Sequence, residues 1–165
     1  MKRPARACVG LGANLGDAPA TLRRALAELD RLPGTRVLAA SRLYRTPAWG
    51  VTDQPDFVNA AALLDTALAP RPLLDALLAI ERGHGRDRAR ETHWGPRTLD
   101  LDLLLYADAV LDEPGLQLPH PRLHERAFAL LPLAEVAPEM AVPGHGTVRE
   151  AASRVEAGAI SVISG

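Results

Sequence analysis

Apolar residues recur along the chain with two different spacings, one typical of strands and one typical of helices. Four short apolar runs predict strands, and they occupy residues 5–11, 37–44, 57–64 and 99–106. Two stretches with apolar residues three or four positions apart predict helices, one from about residue 19 to Pro33 and one from about residue 70 to Gly83. The order β-α-β-β-α-β predicts an α+β fold with a ferredoxin-like core.

The pattern is weaker after the fourth predicted strand and between some elements. We expect C-terminal additions to the core, with a short helix at residues 124–131, ended by Pro132, and another at residues 148–155. Residues 46–55 and 84–98 are rich in turn-forming or polar residues, so we expect both segments to be loops.

The composition is that of an ordinary globular protein. The 165 residues are 47% apolar and 24% charged, and neither a repeat nor a linker divides them, so we expect a single domain over residues 1–165. The net charge of −1 argues against nucleic acid as a partner. No apolar run approaches the ~18 residues of a membrane span, so we expect a cytoplasmic protein with no membrane partner.

Two residue counts and one glycine-rich segment limit the chemistry further. Cys8 is the only cysteine, which excludes a disulfide framework within the chain and a cysteine-rich zinc site. Lys2 is the only lysine, so phosphate binding would rely on arginine, backbone and metal. Residues 10–16, GLGANLG, resemble a dinucleotide-binding turn, but Leu15 stands where that motif needs glycine. A tight strand-to-helix turn is the better interpretation.

The strongest chemical signal is a pair of aspartates in the fourth predicted strand. Asp100 and Asp102 are two residues apart, so both side chains project from the same face, about 6.5 Å apart along the strand. Their repulsion would be about 2.5 kcal/mol at an effective dielectric constant of 20. A solvated strand face tolerates such a pair, whereas a cleft would require cations beside it.

Arginines are concentrated just before this pair. From Arg82 to Arg97 there are five arginines and two acidic residues. A basic loop is often only solvated, but a structureless loop of about 15 residues inside a compact domain is more often functional or mobile. Guanidinium groups beside paired carboxylates suit a polyphosphate that is bound by arginine on one side and by carboxylate-bound magnesium on the other.

Three further residues are candidates for binding a small molecule. Asn59 offers a donor and an acceptor, and Phe57 lies on the same strand face, which together suit a flat heterocycle. The alternatives are core packing for Phe57 and a local side-chain-to-backbone bond for Asn59. His120 stands between two prolines and is either a turn residue or a positioned donor, and no histidine spacing indicates a zinc site.

Together these segments resemble the bacterial 6-hydroxymethyl-7,8-dihydropterin pyrophosphokinases of folate biosynthesis. The resemblance extends over about residues 5–145 and is most specific at residues 94–102, WGPRTLDLD. The other matching segments are residues 10–16, 44–47, 53–59, 80–81, 85–86, 119–120 and 132–138.

The resemblance implies an enzyme that transfers pyrophosphate from ATP to the hydroxymethyl group of the pterin and releases AMP. Asp100 and Asp102 would bind two Mg²⁺ ions, and catalysis would also depend on Arg86 and Arg97. The implied nucleotide-binding residues are Arg86, Trp94, Arg97, His120 and Arg126, and the implied pterin-binding residues are Thr46, Pro47, Trp49, Phe57, Asn59 and Phe128. The implied partners are these two small molecules, and the protein is expected to be a monomer.

The sequence departs from the family pattern at a few positions. Phe57 stands where tyrosine is common, which keeps the ring and loses a hydroxyl. Leu78 stands where some members have a nucleotide-contacting glutamine. Gly115, Gln117 and Pro121 stand where relatives offer polar or basic contacts to adenosine, and we assign them no role.

Two other functions are compatible with the motifs. One is two-metal nucleotidyl transfer on the same type of sheet, as in polymerase palm or cyclase domains, which would release pyrophosphate instead of AMP. The other is a small-molecule sensor, which would turn over no ATP and would keep ligand binding after replacement of Asp100 and Asp102 by alanine.

Overall fold

The computed structural model describes residues 4–47, 55–85 and 98–163, which form eight strands and four α-helices. The strands are β1 (Ala5–Ala13), β2 (Thr35–Ala40), β3 (Tyr44–Thr46), β4 (Phe57–Thr66), β5 (Asp100–Tyr106), β6 (Leu111–Glu113), β7 (Leu116–Leu118) and β8 (Ser161–Val162). The helices are α1 (Ala18–Leu29), α2 (Pro70–Gly83), α3 (Ala127–Val136) and α4 (Val148–Ser153), and a 3-10 turn lies at Leu123–Glu125.

The main sheet is antiparallel and has the strand order β5-β1-β4-β3-β8, while β2 pairs with β4 beyond the end of β3. The prediction of one continuous strand at residues 37–44 is therefore wrong, because this segment is divided between β2 and β3. Ser41 lies in the break, where its hydroxyl oxygen accepts a hydrogen bond from the Ala61 N–H at 2.9 Å. A side chain thus replaces a backbone carbonyl in the ladder at this point.

The two faces of the sheet are covered by different helices. Side chains alternate along β1, so Val9 and Leu11 pack with α1 and α2, while Cys8 packs on the opposite face with α3 and α4. The result is a mixed fold of helices and an antiparallel sheet with a buried core on both faces. None of the helices in the described ranges is long and apolar enough to span a membrane.

The first helix begins where the sequence predicts, and the preceding strand is longer than predicted. The Asp17 carboxylate caps α1 by accepting a hydrogen bond from the Ala20 N–H at 3.2 Å. Gly10 and Gly12, assigned by the sequence analysis to a turn, lie inside β1 and pair with strands on both sides. The turn itself is confined to the residues between Ala13 and α1.

The helix predicted at residues 124–131 is also wrong in its bounds. The chain forms the 3-10 turn first, and α3 then runs through Pro132, which is buried inside the helix. Proline removes one backbone hydrogen bond from a helix, a cost of about 3 kcal/mol in an exposed helix. Here Leu130 and Leu133 are fully buried on either side of Pro132, and burial of this helix offsets the lost bond.

The hairpin of β6 and β7 was not predicted. Each arm has three residues, which is too short for the alternation of apolar and polar positions to be recognised. Its turn contains Gly115 in the left-handed region, with φ of 72°. The hairpin lies beside β5 and contributes to the site described next.

Candidate active site

The two aspartates of β5 lie beside two glycines of β1, which have no side chains on this face of the sheet. Asp100 is paired with Gly12 and Asp102 with Gly10 in the antiparallel register. Directly opposed residues of antiparallel strands project to the same face. The aspartates therefore border a floor formed by glycine backbone, which leaves space beside both carboxylates.

Asn59 continues the same row on the next strand. It is paired with Gly12, so Asp100, Gly12 and Asn59 lie side by side across β5, β1 and β4. The Asn59 amide nitrogen donates a hydrogen bond to the Thr46 hydroxyl at 2.8 Å, and both side chains are buried. A Cβ atom at Gly12 would lie 2.9 Å from Asn59 Oδ1. Glycine is therefore required for the amide to occupy this position.

The start of α3 supplies a cation and an aromatic ring above this row. The Arg126 guanidinium carbon lies 5.6 Å from the centroid of the Phe128 ring, a distance at which a cation–π interaction is favourable. Both side chains are partly buried. The first turn of the helix thus places positive charge and an apolar surface close to the aspartates.

These groups line a small cleft of about 30 Å³. Its lining combines the glycine floor of β1 with five residues predicted from the sequence, which are Asn59, Asp100, Asp102, Arg126 and Phe128. Residues more than 40 positions apart in the sequence are therefore assembled at one place by the sheet and α3.

A much larger cavity of about 670 Å³ lies along the outer edge of β5. This volume is within the range of small-molecule binding pockets. The cavity is bounded by α2 on one side and by the β6–β7 hairpin on the other, and its lining residues are Leu74, Leu78, Leu101, Asp102, Leu103, Asp112, Glu113, Pro114, Gly115, Leu116, Gln117, His120 and Pro121. Asp102 lines both this cavity and the small cleft.

His120 is held at the large cavity in its neutral form. Burial and the positive charges of Arg126 and Arg122, opposed by the negative charge of Asp100, together lower the pKa of His120 to about 4. The His120 Nδ1 atom accepts a hydrogen bond from the Arg122 N–H at 3.3 Å. The ring proton is therefore on Nε2, which makes His120 a neutral hydrogen-bond donor near pH 7.

The remaining predicted residues lie elsewhere. Thr46 is buried and orients Asn59, Pro47 follows it at an exposed position, and Phe57 is partly buried and paired with Thr46. As far as the described lining goes, none of the three borders either cavity. The four other predicted residues, Trp49, Arg86, Trp94 and Arg97, lie outside the described residues.

Several residues of the site carry no signal in the local sequence pattern, although the family resemblance drew attention to Leu78, Gly115, Gln117 and Pro121. Leu74 and Leu78 are four residues apart on α2, which is the spacing of ordinary core residues. Gly115, Gln117 and Pro121 were assigned no role, yet all three line the large cavity. The glycine spacing in β1 was a usable signal, because glycine inside a strand indicates close approach of another group.

The aspartate pair has the chemistry of a partial magnesium site. Mg²⁺ takes oxygen ligands and is commonly bound by one or two carboxylates together with substrate phosphates and water. Among the described residues, no group of three or more His, Cys, Asp or Glu side chains is placed to hold a metal ion. Asp100 and Asp102 thus fit an ion that takes its other ligands from a bound substrate.

The sequence matches a known protein family. Residues 8–138 match the model of the family described as 7,8-dihydro-6-hydroxymethylpterin-pyrophosphokinase (HPPK). The chain belongs to this family. A protein of Methylorubrum extorquens named 2-amino-4-hydroxy-6-hydroxymethyldihydropteridine pyrophosphokinase is 49% identical over 151 residues, which are 92% of this chain and 94% of that protein. A protein of the same name from Pseudomonas aeruginosa is 50% identical over 138 residues, 84% of each chain.

Solved structures of HPPK-DHPS from Plasmodium falciparum share the fold of this HPPK family member. A triple mutant superposes with a TM-score of 0.73 at 15% identity and covers 93% of this chain. The wild-type protein superposes with a TM-score of 0.70, also at 15% identity. This chain spans 44% and 45% of those two chains, respectively.

The lowered pKa of His120 predicts a pH dependence of stability. The pKa of His120 is about 4 in the folded protein, against 6.5 in the unfolded chain. Between these values the unfolded state binds more protons, so the folded protein loses stability as the pH falls from about 6.5 to about 4. For one proton the slope is at most about 1.4 kcal/mol per pH unit. In urea unfolding, wild type should lose more stability than His120→Gln between about pH 7 and pH 5.

The control is a comparison of the same two proteins at higher pH. Between about pH 7 and pH 8 His120 is neutral in both the folded and the unfolded state, so the two stability curves should be parallel there. Parallel curves across the acidic range as well would show that His120 is not held neutral by the fold.

Proposed function

We propose that this protein catalyses transfer of pyrophosphate from ATP to the hydroxymethyl group of 6-hydroxymethyl-7,8-dihydropterin, a step of folate biosynthesis. Family membership and the names of its relatives support this activity. The structural observation that carries it is the place of Asp102, which lines both a cavity large enough for a nucleotide and a smaller cleft beside Asn59. Reacting groups bound in the two spaces would meet at the aspartates.

We assign the large cavity to ATP. Leu74 and Leu78 present an apolar wall of α2 that suits the nucleobase. His120 and Arg126 lie toward the aspartates, where the Nε2–H of His120 would donate to a phosphate oxygen and the guanidinium would offset phosphate charge. By resemblance to the family, we add Arg86, Trp94 and Arg97 to the nucleotide site.

We assign the small cleft and its surroundings to the pterin. The Asn59 amide, oriented by Thr46, offers hydrogen-bonding groups for a heterocycle edge, and Phe128 offers a ring for stacking. The glycine floor would let a flat ring approach the sheet between Asn59 and Asp100. By resemblance to the family, Pro47, Trp49 and Phe57 complete this site.

We propose that Asp100 and Asp102 hold magnesium, with two ions implied by the family resemblance. Bound there, the metal would neutralise charge on the phosphates. The aspartates would attract cations to the place where the two substrates meet. Two carboxylates on one strand face repel each other, and a cation beside them offsets this repulsion. The support for this assignment is the donor set, two carboxylates on one strand face, one of which lines the cavity assigned to ATP.

The reaction itself requires orientation more than a strong base. The pterin hydroxyl oxygen attacks the β-phosphorus of ATP, the bond from that phosphorus to the oxygen shared with the α-phosphate breaks, and AMP leaves. Groups on several strands and helices would hold the two substrates in line, which lowers the entropic part of the barrier. The hydroxyl proton is released to solvent.

The architecture and partners complete the proposal. We infer that the core is ferredoxin-like, because the β-α-β-β-α-β succession forms a sheet in the order β5-β1-β4-β2 with α1 and α2 on one face. We also infer a single domain over residues 1–165 that acts as a monomer, without nucleic-acid or membrane partners. We place the reaction in the cytoplasm, where ATP is available.

The first experiment identifies the product. The protein is incubated with ATP, Mg²⁺ and 6-hydroxymethyl-7,8-dihydropterin, and we expect AMP and the pterin diphosphate in equal amounts, measured by ion-exchange chromatography. Omission of the pterin should abolish AMP formation. Release of pyrophosphate would indicate nucleotidyl transfer instead, and no turnover by folded protein would contradict both.

Asp102→Asn should separate turnover from pterin binding. Loss of one carboxylate charge beside the phosphates should lower kcat by roughly 10²–10³-fold. Pterin affinity, measured by calorimetry, should change little, because Asn59 and Phe128 are untouched. Asp108→Asn, at an exposed position after the same strand, is the matched control. Equal loss in both variants would assign Asp102 to the fold and not to the reaction.

Gly12→Ala should act on the pterin alone. The new Cβ would meet Asn59 Oδ1 at 2.9 Å and displace the amide, which should raise KM for the pterin by about tenfold, the effect of losing about one hydrogen bond. KM for ATP should stay close to the wild-type value. Gly83→Ala is the control, because nothing lies within 4 Å of its new Cβ. An unchanged KM for the pterin would remove Asn59 from the binding site.

A further inference from the structure

A buried carboxylate lies directly behind the aspartate pair. Glu81, in the last turn of α2, is only 1% exposed. Its Oε2 accepts a hydrogen bond from the Leu101 N–H at 2.7 Å. Leu101 is the residue between Asp100 and Asp102, so the bond is made to the peptide group that joins the first aspartate to the residue separating the pair.

Burial of an acidic residue at this position has an energetic cost. Removal of a carboxylate from water is unfavourable by several kcal/mol, and apolar replacements of buried charged groups are often neutral or stabilising. The C-terminal end of a helix also disfavours negative charge. A hydrogen bond to the charged group offsets part of this cost. The hydrogen bond from the Leu101 N–H therefore holds a group that is costly to bury against the backbone of β5.

The bond is made to β5, the terminal strand in the described part of the sheet. In the described part of the sheet β5 is the terminal strand and pairs only with β1, and the large cavity lies along its outer edge. The backbone that carries both aspartates is thus held by strand pairing on one side only. Glu81 supplies a contact to this backbone from α2, at the centre of the Asp100–Asp102 segment.

We propose that Glu81 is a positioning residue for the aspartate pair, which holds the Leu101 peptide group so that both carboxylates keep the spacing that a bound cation requires. The inference rests on the proposed role of Asp100 and Asp102 in binding metal. What Glu81 supplies is the reach of its side-chain oxygen to the backbone, and not its charge.

Two variants of Glu81 separate the effect of side-chain length from the effect of charge. Glu81→Gln keeps an oxygen at the same distance and loses the charge, whereas Glu81→Asp keeps the charge and shortens the side chain by one methylene group. Positioning predicts that Glu81→Gln retains cation affinity within about twofold and that Glu81→Asp weakens it by about tenfold, as is common for residues that orient metal ligands. An effect of charge predicts the reverse order.

The readouts do not depend on turnover. Mn²⁺ affinity is measured by electron paramagnetic resonance in the presence of α,β-methylene-ATP, which binds as a nucleotide without transferring pyrophosphate. Hydrogen exchange of the Leu101 amide is followed by NMR on the free protein, and it should be faster in Glu81→Asp than in wild type and Glu81→Gln. Leu77→Ala, a buried substitution one turn earlier in α2, controls for loss of stability and should leave Mn²⁺ affinity unchanged.

The inference is overturned if Glu81→Asp binds Mn²⁺ as wild type does, if Glu81→Gln is the weaker binder, or if Leu77→Ala weakens binding equally. Its failure is distinguishable from failure of the proposed function. If wild type forms AMP but Glu81→Asp keeps its cation affinity, the positioning role alone is wrong. If wild type forms no AMP, the proposed function is wrong, whatever the exchange rate of the Leu101 amide.

Discussion

Electrostatic repulsion between Asp100 and Asp102 is the constraint around which the site is organised. Two carboxylates that project from one face of a strand are stable only where water or cations surround them. In the described part of the chain this pair lies on the terminal strand β5, beside the cavity of about 670 Å³ and the small cleft that Arg126 also lines. The pair is thus placed where a cation and an anionic substrate can enter together.

The glycines of β1 are the second requirement. A Cβ atom at Gly12 would lie 2.9 Å from Asn59 Oδ1 and one at Gly10 would lie 3.3 Å from the Leu104 side chain, and the register brings each glycine opposite one aspartate. Because backbone alone forms this floor, a planar molecule can lie against the sheet with one end at the amide and the other at the carboxylates. A strand with glycine at alternate positions is less stable than one without it, and the site explains why it is kept.

The C-terminal part of the chain completes the site and does not simply extend the core. The hairpin of β6 and β7 forms one wall of the large cavity, His120 follows the hairpin, and α3 brings Arg126 and Phe128 over the glycine floor. Pro132 inside α3 is tolerated because that helix is stabilised by burial against the sheet. Packing that stabilises the fold therefore also sets the position of a cation and a ring.

The sequence by itself determined the succession of the main strands and helices, the aspartate pair and the family, because local periodicity and a specific motif are properties of neighbouring residues. Only the tertiary structure decided the split of the second strand, the path of α3 through Pro132, the cavity beside Leu78 and the contact of Glu81 with Leu101. These features depend on burial and on contacts between distant segments. Glu81 illustrates the difference: the sequence places it at a helix end, in a segment that matches the family, and only the fold brings it behind the aspartates.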